Sequence, residues 1–190
     1  MKHISLKGKN VAILATDGFE QSELLEPRQA LQSAGAIVKI ISLSPNSIRG
    51  WKKSHWGQYV GVDATVENAR ASDFDAIVLP GGVMNSDKLR MSEHAVAFVR
   101  EMGDAGKTIA AICHGAWALI NADLVNGRTL TSWPSLEADL TNAGAKWIDQ
   151  EVVVDSGLVT SRKPSDLPAF NAKMIEQIAV SGKLARRDVA

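Results

Sequence analysis

The sequence predicts an α/β sandwich, in which helices cover both faces of a mainly parallel sheet. Two observations support this fold class: short apolar runs alternate along the chain with longer segments of helical periodicity, and most of those short runs are apolar throughout, as in strands buried on both faces. Hydrophobic residues make up 45% of the 190 residues and charged residues 22%, which is typical of a globular domain. Because no linker-like stretch, repeat or low-complexity tract divides the chain, we expect one domain over residues 1–190.

The first half of the chain follows this alternation. A buried strand, NVAILAT, precedes the helix PRQALQSAG, which has Pro27 near its start and Gly35 as its end. The segments that follow are a strand, a loop or hairpin rich in Trp and Gly, a strand that ends in a glycine pair, and an amphipathic helix with Ser92 as N-cap. Their sequences are AIVKIISLS, RGWKKSHWGQYVGV, FDAIVLPGG and SEHAVAFVREMGDAG.

The second half repeats the pattern. The strand KTIAAIC leads into the helix GAWALINADLVNG, closed by Gly127, and then RTLTSW and PSLEADLTNAG repeat strand and helix. Two strand runs around Asp-Ser-Gly in AKWIDQEVVVDSGLVTSR are typical of a β-hairpin. The segment DLPAFNAKMIEQIAV supplies a closing helix.

Charge and composition argue against several kinds of partner. Lys and Arg together number 21, equal to Asp and Glu, so we expect neither a nucleic acid nor a membrane as partner. The chain lacks a run of about 18 apolar residues and a signal-peptide pattern, and its single cysteine suits a reducing compartment, so we expect a cytoplasmic protein. His3, His55 and His94 lack metal-ligand spacing, and no phosphate-binding glycine motif is present. We therefore expect no metal and no cofactor.

The single cysteine, Cys113, stands where a predicted strand meets a predicted helix. Ligands of such sheets bind beyond the carboxyl ends of the strands, and a strand-to-helix elbow presents its side chain there. The N–H groups of the following helix favour a thiolate, and His114 could take the thiol proton or pair with the thiolate as a cation. The alternative is an inert thiol in the core, since free cysteine is often buried.

Two other strand ends add candidate groups. Glu20, after the first strand, is either a helix-start carboxylate favoured by the dipole or a protonated carboxyl group that donates a hydrogen bond to the sulfur. The pair Gly81-Gly82 is either a plain turn or a close backbone approach. In the second case, the N–H groups of Gly82 and His114 would form an oxyanion hole.

Four segments of the chain together resemble the ThiJ/PfpI superfamily, specifically its PfpI-type intracellular protease branch. The resemblance covers nearly the whole chain. It implies a flavodoxin-like sandwich related to the class I glutamine amidotransferase domain, with Cys113 as nucleophile, Glu20 as its carboxyl partner and His114 as the adjacent histidine. The segments are ATDGFEQSELLEP, FDAIVLPGG, AICHG and RTLTSWPSLEADLTNAGAKWIDQEVVVDSGLVTSRKPSDLPAF.

The resemblance also implies a homo-oligomer, a dimer or hexamer, whose site lies at a subunit interface. A neighbouring chain would supply a carboxylate to the histidine, and the matching position is Asp87. This acid is shorter than the one in the family, and the segment before it is one residue longer. Trp133 also stands where the branch usually has tyrosine.

The family implies two classes of function. The first is a stress-response, cysteine-dependent hydrolase that acts on a small carbonyl or peptide substrate, as a peptidase or by glyoxalase- or deglycase-like chemistry. The second is a redox-responsive protein without enzymatic activity, in which Cys113 is oxidised to a sulfinate. A structural protein with an inert thiol is a third reading of the same cysteine.

Overall fold

The computed structural model describes residues 4–184, with side chains through residue 181. The interpretation of His3 therefore lies outside the described residues. The expectation of one domain over residues 1–190 also extends beyond them and stays a prediction.

The described chain contains the predicted strands and helices in the predicted order, together with a helix over Val83–Met91 that the sequence analysis did not predict. The strands are β1 (Asn10–Leu14), β2 (Phe19–Glu20), β3 (Ile37–Ser42), β4 (Ser47–Lys52), β5 (His55–Gly61), β6 (Ala64–Thr65), β7 (Ala76–Leu79), β8 (Thr108–Ile112), β9 (Thr129–Leu130), β10 (Lys146–Trp147), β11 (Val152–Asp155) and β12 (Leu158–Ser161). The α-helices are α1 (Gln21–Ser33), α2 (Val83–Met91), α3 (Glu93–Asp104), α4 (Trp117–Asn121), α5 (Glu137–Asn142) and α6 (Leu167–Leu184).

Seven of these strands form the central sheet, in the order β11-β12-β8-β7-β1-β3-β6. All neighbours in this sheet run parallel except β11, which is antiparallel to β12. A three-stranded sheet, β2-β4-β5, and the pair β9-β10 flank it. The prediction of an α/β sandwich with a mainly parallel sheet is confirmed.

Both faces of the sheet are covered, which explains why the inner strands β1, β7 and β8 are almost entirely apolar. Side chains of β1 alternate between the two faces because successive residues of a strand point to opposite sides. Val11 and Ile13 belong to the core under α1 and α6, whereas Ala12 and Leu14 belong to the core under the helices from α2 to α5. Because β1, β7 and β8 run parallel to one another, their carboxyl ends lie at the same edge of the sheet.

Both predicted hairpins are present, as β4-β5 and β11-β12, and Ser92 caps α3 by accepting a hydrogen bond from the Ala95 N–H at 3.3 Å. Two helix boundaries differ from the prediction. Helix α1 already begins at Gln21, so that Pro27 lies inside it, buried against the sheet. Helix α4 ends at Asn121, well before Gly127, because Asp123 adopts a left-handed backbone with φ of 60°.

Candidate active site

Cys113 occupies a sharp turn between β8 and a short 3₁₀ helix, Cys113–Ala116. Its φ of 61° lies in the left-handed region, which residues other than glycine rarely adopt. The turn also requires Gly115, because a Cβ there would collide with the Leu79 carbonyl oxygen. The predicted nucleophile elbow is present in the structure, and the thiol lies at its apex with 7% of the residue exposed.

The glycine pair after β7 lies directly against the elbow. A Cβ on Gly81 would lie 2.6 Å from the Cβ of Cys113, and one on Gly82 would collide with the Gly18 carbonyl oxygen. The N–H groups of Gly82 and His114 both face the sulfur and lower the pKa of the thiol. The structure therefore brings together the two donors that the sequence analysis paired.

The carboxyl group beside the thiol belongs to Glu23, so the prediction of Glu20 as partner is wrong. Glu23 is fully buried, and its Oε2 accepts a hydrogen bond from the Gly81 N–H at 2.9 Å. Glu20 is the residue before α1; it is half-buried, accepts a hydrogen bond from the Ser22 hydroxyl at 3.1 Å and lines the cavity above. The physical reason is the early start of α1, which places Glu23 in its first turn, on the face that packs towards the sheet.

The environment of Glu23 favours its protonated form. Burial raises the pKa of this carboxyl group from 4.5 to about 8, and the nearby charge of Glu20 acts in the same direction. The other oxygen of Glu23, Oε1, is buried and forms no hydrogen bond of ordinary geometry within the described residues. At neutral pH, Glu23 can therefore serve as a hydrogen-bond donor.

The Cys113 thiol and the Glu23 carboxyl group are not both ionised at the same time. Burial raises the pKa of the Cys113 thiol, the charge of ionised Glu23 raises it further, and the N–H groups of His114 and Gly82 oppose both effects. The net direction is upward, opposite to the expectation that helix N–H groups alone would make the thiol acidic. Protonation of Glu23 removes the repulsion, so the two groups hold at most one negative charge between them.

His114 follows the cysteine and is almost fully buried. Its Nδ1 lies 3.3 Å from the Cys113 Sγ, and its ring stacks on Trp133 at 6.0 Å and meets Trp117 edge-on at 5.3 Å. Burial lowers the pKa of the imidazole, which keeps His114 neutral at neutral pH. A neutral imidazole at this distance can accept the thiol proton.

Asp87 lies apart from these residues within one chain. It is exposed on α2 and does not line the cavity above Cys113. Among residues 4–184, no hydrogen bond or ion pair joins its carboxylate to His114. Its role as the acid supplied by a neighbouring subunit stays a prediction.

Asn85 is a site-building residue that the sequence analysis missed. Its Oδ1 accepts a hydrogen bond from the Thr16 N–H at 2.7 Å, and its Nδ2 donates to the carbonyls of Pro80 and Gly81 at 2.9 and 3.0 Å. The fully buried side chain thus ties the end of β1 to the loop after β7. Its only sequence signal is an amide placed three residues after the glycine pair.

A cavity of about 850 Å³ opens above the thiol. Its walls come from the start of α1, the β4-β5 turn, the glycine-pair loop and the elbow, with Trp133 beside the elbow. The described residues contain no group of three or more His, Cys, Asp or Glu side chains placed to hold a metal ion. Nor do they contain a helix of the length and apolar character needed to cross a membrane.

Known proteins share this architecture and sequence. Residues 9–177 match the model of the DJ-1/PfpI family. Protein/nucleic acid deglycase 2 of Escherichia coli is 41% identical over 169 residues, which cover 88% of this chain and 96% of that protein. General stress protein 18 of Bacillus subtilis is 40% identical, with the same coverage of both chains.

A solved structure is also similar to this chain. A two-domain protein from Anabaena variabilis, with DJ-1/ThiJ/PfpI-like and ferritin-like domains, superposes with a TM-score of 0.85 at 37% identity. The match covers 90% of this chain and 48% of the Anabaena chain. With its flavodoxin-like fold and its match to the family over residues 9–177, this chain belongs to the DJ-1/PfpI family.

Proposed function

We propose that this protein is a cysteine-dependent enzyme that acts on small carbonyl compounds, with Cys113 as nucleophile. The observation that carries the proposal is the elbow itself. It holds a strained cysteine beneath two N–H donors, beside a neutral imidazole and a carboxyl group that is protonated at neutral pH. An inert core thiol would require none of these neighbours.

The chemistry follows from the positions of these groups. The Cys113 sulfur attacks the carbonyl carbon of the substrate and forms the S–C bond, while His114 Nδ1 accepts the thiol proton. The former carbonyl oxygen gains the negative charge, which the N–H groups of Gly82 and His114 stabilise. Glu23 stays protonated and donates a hydrogen bond, so no second anion opposes the step.

The name of one relative supports an enzyme of this kind, and the name of another supports a role in the stress response. The Escherichia coli relative is named a deglycase, and the Bacillus subtilis relative a stress protein. We favour small carbonyl substrates over peptides because peptide hydrolysis requires an oriented acid for the imidazole. Within one chain, Asp87 does not provide it. A homo-oligomer in which Asp87 of a neighbouring chain reaches His114 would complete that arrangement.

The proposal is tested by the turnover of methylglyoxal. We expect Cys113→Ser to abolish turnover and His114→Ala to lower kcat/KM by about 10²- to 10⁴-fold, the usual contribution of a general base. His94→Ala is the matched control, because His94 is exposed on α3, outside the cavity. Turnover by Cys113→Ser at the rate of the unsubstituted protein would contradict the proposal. Hydrolysis of peptides without loss of methylglyoxal would redirect it to a peptidase.

A redox role for the same thiol is the second candidate, and the free oxygen of Glu23 favours it. A sulfinate on Cys113 would accept hydrogen bonds from the N–H groups of Gly82 and His114 and from protonated Glu23. Mass spectrometry after mild peroxide treatment tests this role. Two oxygen atoms added at Cys113, in a protein that turns over no carbonyl substrate, would support it over the enzyme.

A further inference from the structure

We propose that the β4-β5 hairpin selects carbonyl substrates that carry an anionic group, a carboxylate or a phosphate, which Lys52 and Lys53 bind. This inference rests on the proposed function and names its substrate class. The two lysines lie at the hairpin turn and line the same cavity as Cys113 and His114.

Both lysines are available to a ligand. They are exposed, and within residues 4–184 neither forms an ion pair with a carboxylate. Glu20 and Glu26 line the cavity on the side of α1 and would repel an anion there. Charge therefore directs the anionic end of a substrate towards the hairpin.

The hairpin is held firmly against the catalytic loops. Asp17 Oδ1 accepts a hydrogen bond from the Arg49 N–H at 2.7 Å, and the Gly18 N–H donates to the Arg49 carbonyl at 2.9 Å. On the other strand, Gln21 Oε1 accepts a hydrogen bond from the Gln58 N–H at 2.8 Å. These contacts join both strands of the hairpin to the segment that leads into Glu23, so the base of the hairpin is held beside the site.

The turn holds a lysine where a lysine is unfavourable. Lys53 has a φ of 57°, a left-handed conformation that hairpin turns usually assign to Gly, Asn or Asp. Trp51 stabilises it, because its Nε1–H donates to the Lys53 carbonyl at 2.9 Å while its ring packs edge-on against Trp56 at 5.4 Å. Backbone strain of this kind occurs often at ligand-binding positions. A flexible ammonium group on a supported turn suits a carboxylate or phosphate.

Alkylation of the single thiol tests the inference without any turnover. Iodoacetate and iodoacetamide are both alkylating agents for Cys113: the thiol loses its proton to His114 or solvent and the sulfur forms the new S–C bond as iodide leaves, but only iodoacetate is an anion. We expect the doubly substituted Lys52→Gln/Lys53→Gln protein to lower the ratio of the iodoacetate rate to the iodoacetamide rate by about tenfold, and added salt to lower it in the unsubstituted protein. Lys52→Arg/Lys53→Arg should restore most of the ratio.

The controls are Lys39→Gln and Lys146→Gln, which remove exposed lysines outside the cavity. An equal ratio in the double variant and in the unsubstituted protein would overturn the inference. That outcome would leave the proposed function standing, because methylglyoxal is neutral and its turnover by the unsubstituted protein is measured separately. Absence of methylglyoxal turnover in the unsubstituted protein, together with a lowered alkylation ratio in the double variant, would refute the proposed function while leaving the two lysines as an anion-binding pair beside Cys113.

Steady-state kinetics then identifies the anion. Glyoxylate carries a carboxylate and glyceraldehyde 3-phosphate a phosphate, and kcat/KM for each is compared with that for methylglyoxal. We expect the double substitution to lower kcat/KM for the anionic substrate that fits by about tenfold more than it lowers kcat/KM for methylglyoxal. Equal losses for all three compounds would contradict a role in selecting anions.

Discussion

Replacing Glu23 by Gln should make the stability of the protein less dependent on pH. Glutamine keeps an oxygen for the Gly81 N–H and cannot ionise, so it imitates the protonated acid. In the folded chain the pKa of Glu23 is raised from 4.5 to about 8, whereas in the unfolded chain it returns to the ordinary value. Between these two pH values the folded state binds more protons, so its stability falls as the pH rises and levels off above about 8.

The size of this effect follows from the two pKa values. Each pH unit of difference between the two pKa values corresponds to about 1.4 kcal/mol, so burial of Glu23 should cost the native state about 4 kcal/mol between pH 4.5 and pH 8. Urea unfolding of both proteins over this pH range measures the difference. The free energy of unfolding of Glu23→Gln should rise relative to that of the unsubstituted protein as the pH increases.

Glu26→Gln is the matched control, because Glu26 lies one turn further along α1 and is exposed. Its stability difference from the unsubstituted protein should vary little with pH. The reasoning is refuted if Glu23→Gln behaves like this control, since Glu23 would then ionise in the folded protein as it does in water.

Three further changes probe the same site. Gly81→Ala should lower the stability of the fold and abolish methylglyoxal turnover, because its Cβ would lie 2.5 Å from Glu23 Oε2 and 2.6 Å from the Cβ of Cys113. Urea unfolding and turnover measure the two effects, and near-normal values of both would contradict this prediction. The kcat/KM for methylglyoxal should increase with pH through a pKa below the ordinary 6.5, because burial lowers the pKa of His114. A pH profile without this rise would exclude His114 as the base. Trp133→Ala should remove the ring that stacks on the His114 imidazole and lower the free energy of unfolding by about 1 kcal/mol. Trp133→Phe should retain most of this free energy, and equal values for the two variants would argue against stacking.

The elbow could be predicted because its signal is local. An apolar strand followed directly by Cys113, His114 and Gly115 indicates a sharp turn from strand to helix. Gly115 is necessary at that turn because the Leu79 carbonyl lies where its Cβ would be. Gly82 could be predicted for the same reason. A glycine pair after a buried strand indicates a close approach of two backbones.

The carboxyl partner could not be assigned with the helix started at Pro27. Segment 17–26 offers three glutamates, and the start of α1 decides which of them faces the sheet. Glu23 and Leu24 begin the buried face of α1, which continues through Pro27 and Leu31 at helical spacing. Following this periodicity back from Leu31 would have placed Glu23 inside.

The remaining features depend on contacts distant in sequence. Asn85 and Thr16 are 69 residues apart, and no local pattern indicates that the amide of one binds the backbone of the other. The balance of effects on the thiol pKa likewise requires burial to be known, because helix N–H groups and a buried carboxylate act in opposite directions. The predicted role of Asp87 requires a second chain, and a contact between chains leaves no local pattern in the sequence of a single chain.

The central claim is that Cys113 and Glu23 act as one unit, in which an ionised carboxylate suppresses the thiolate. The rate of Cys113 alkylation by iodoacetamide, followed against pH in the unsubstituted protein and in Glu23→Gln, tests it most directly. As Glu23 ionises near pH 8, the rate of the unsubstituted protein should fall behind that of the variant. A ratio of the two rates that stays constant from pH 6 to pH 10 would contradict the claim.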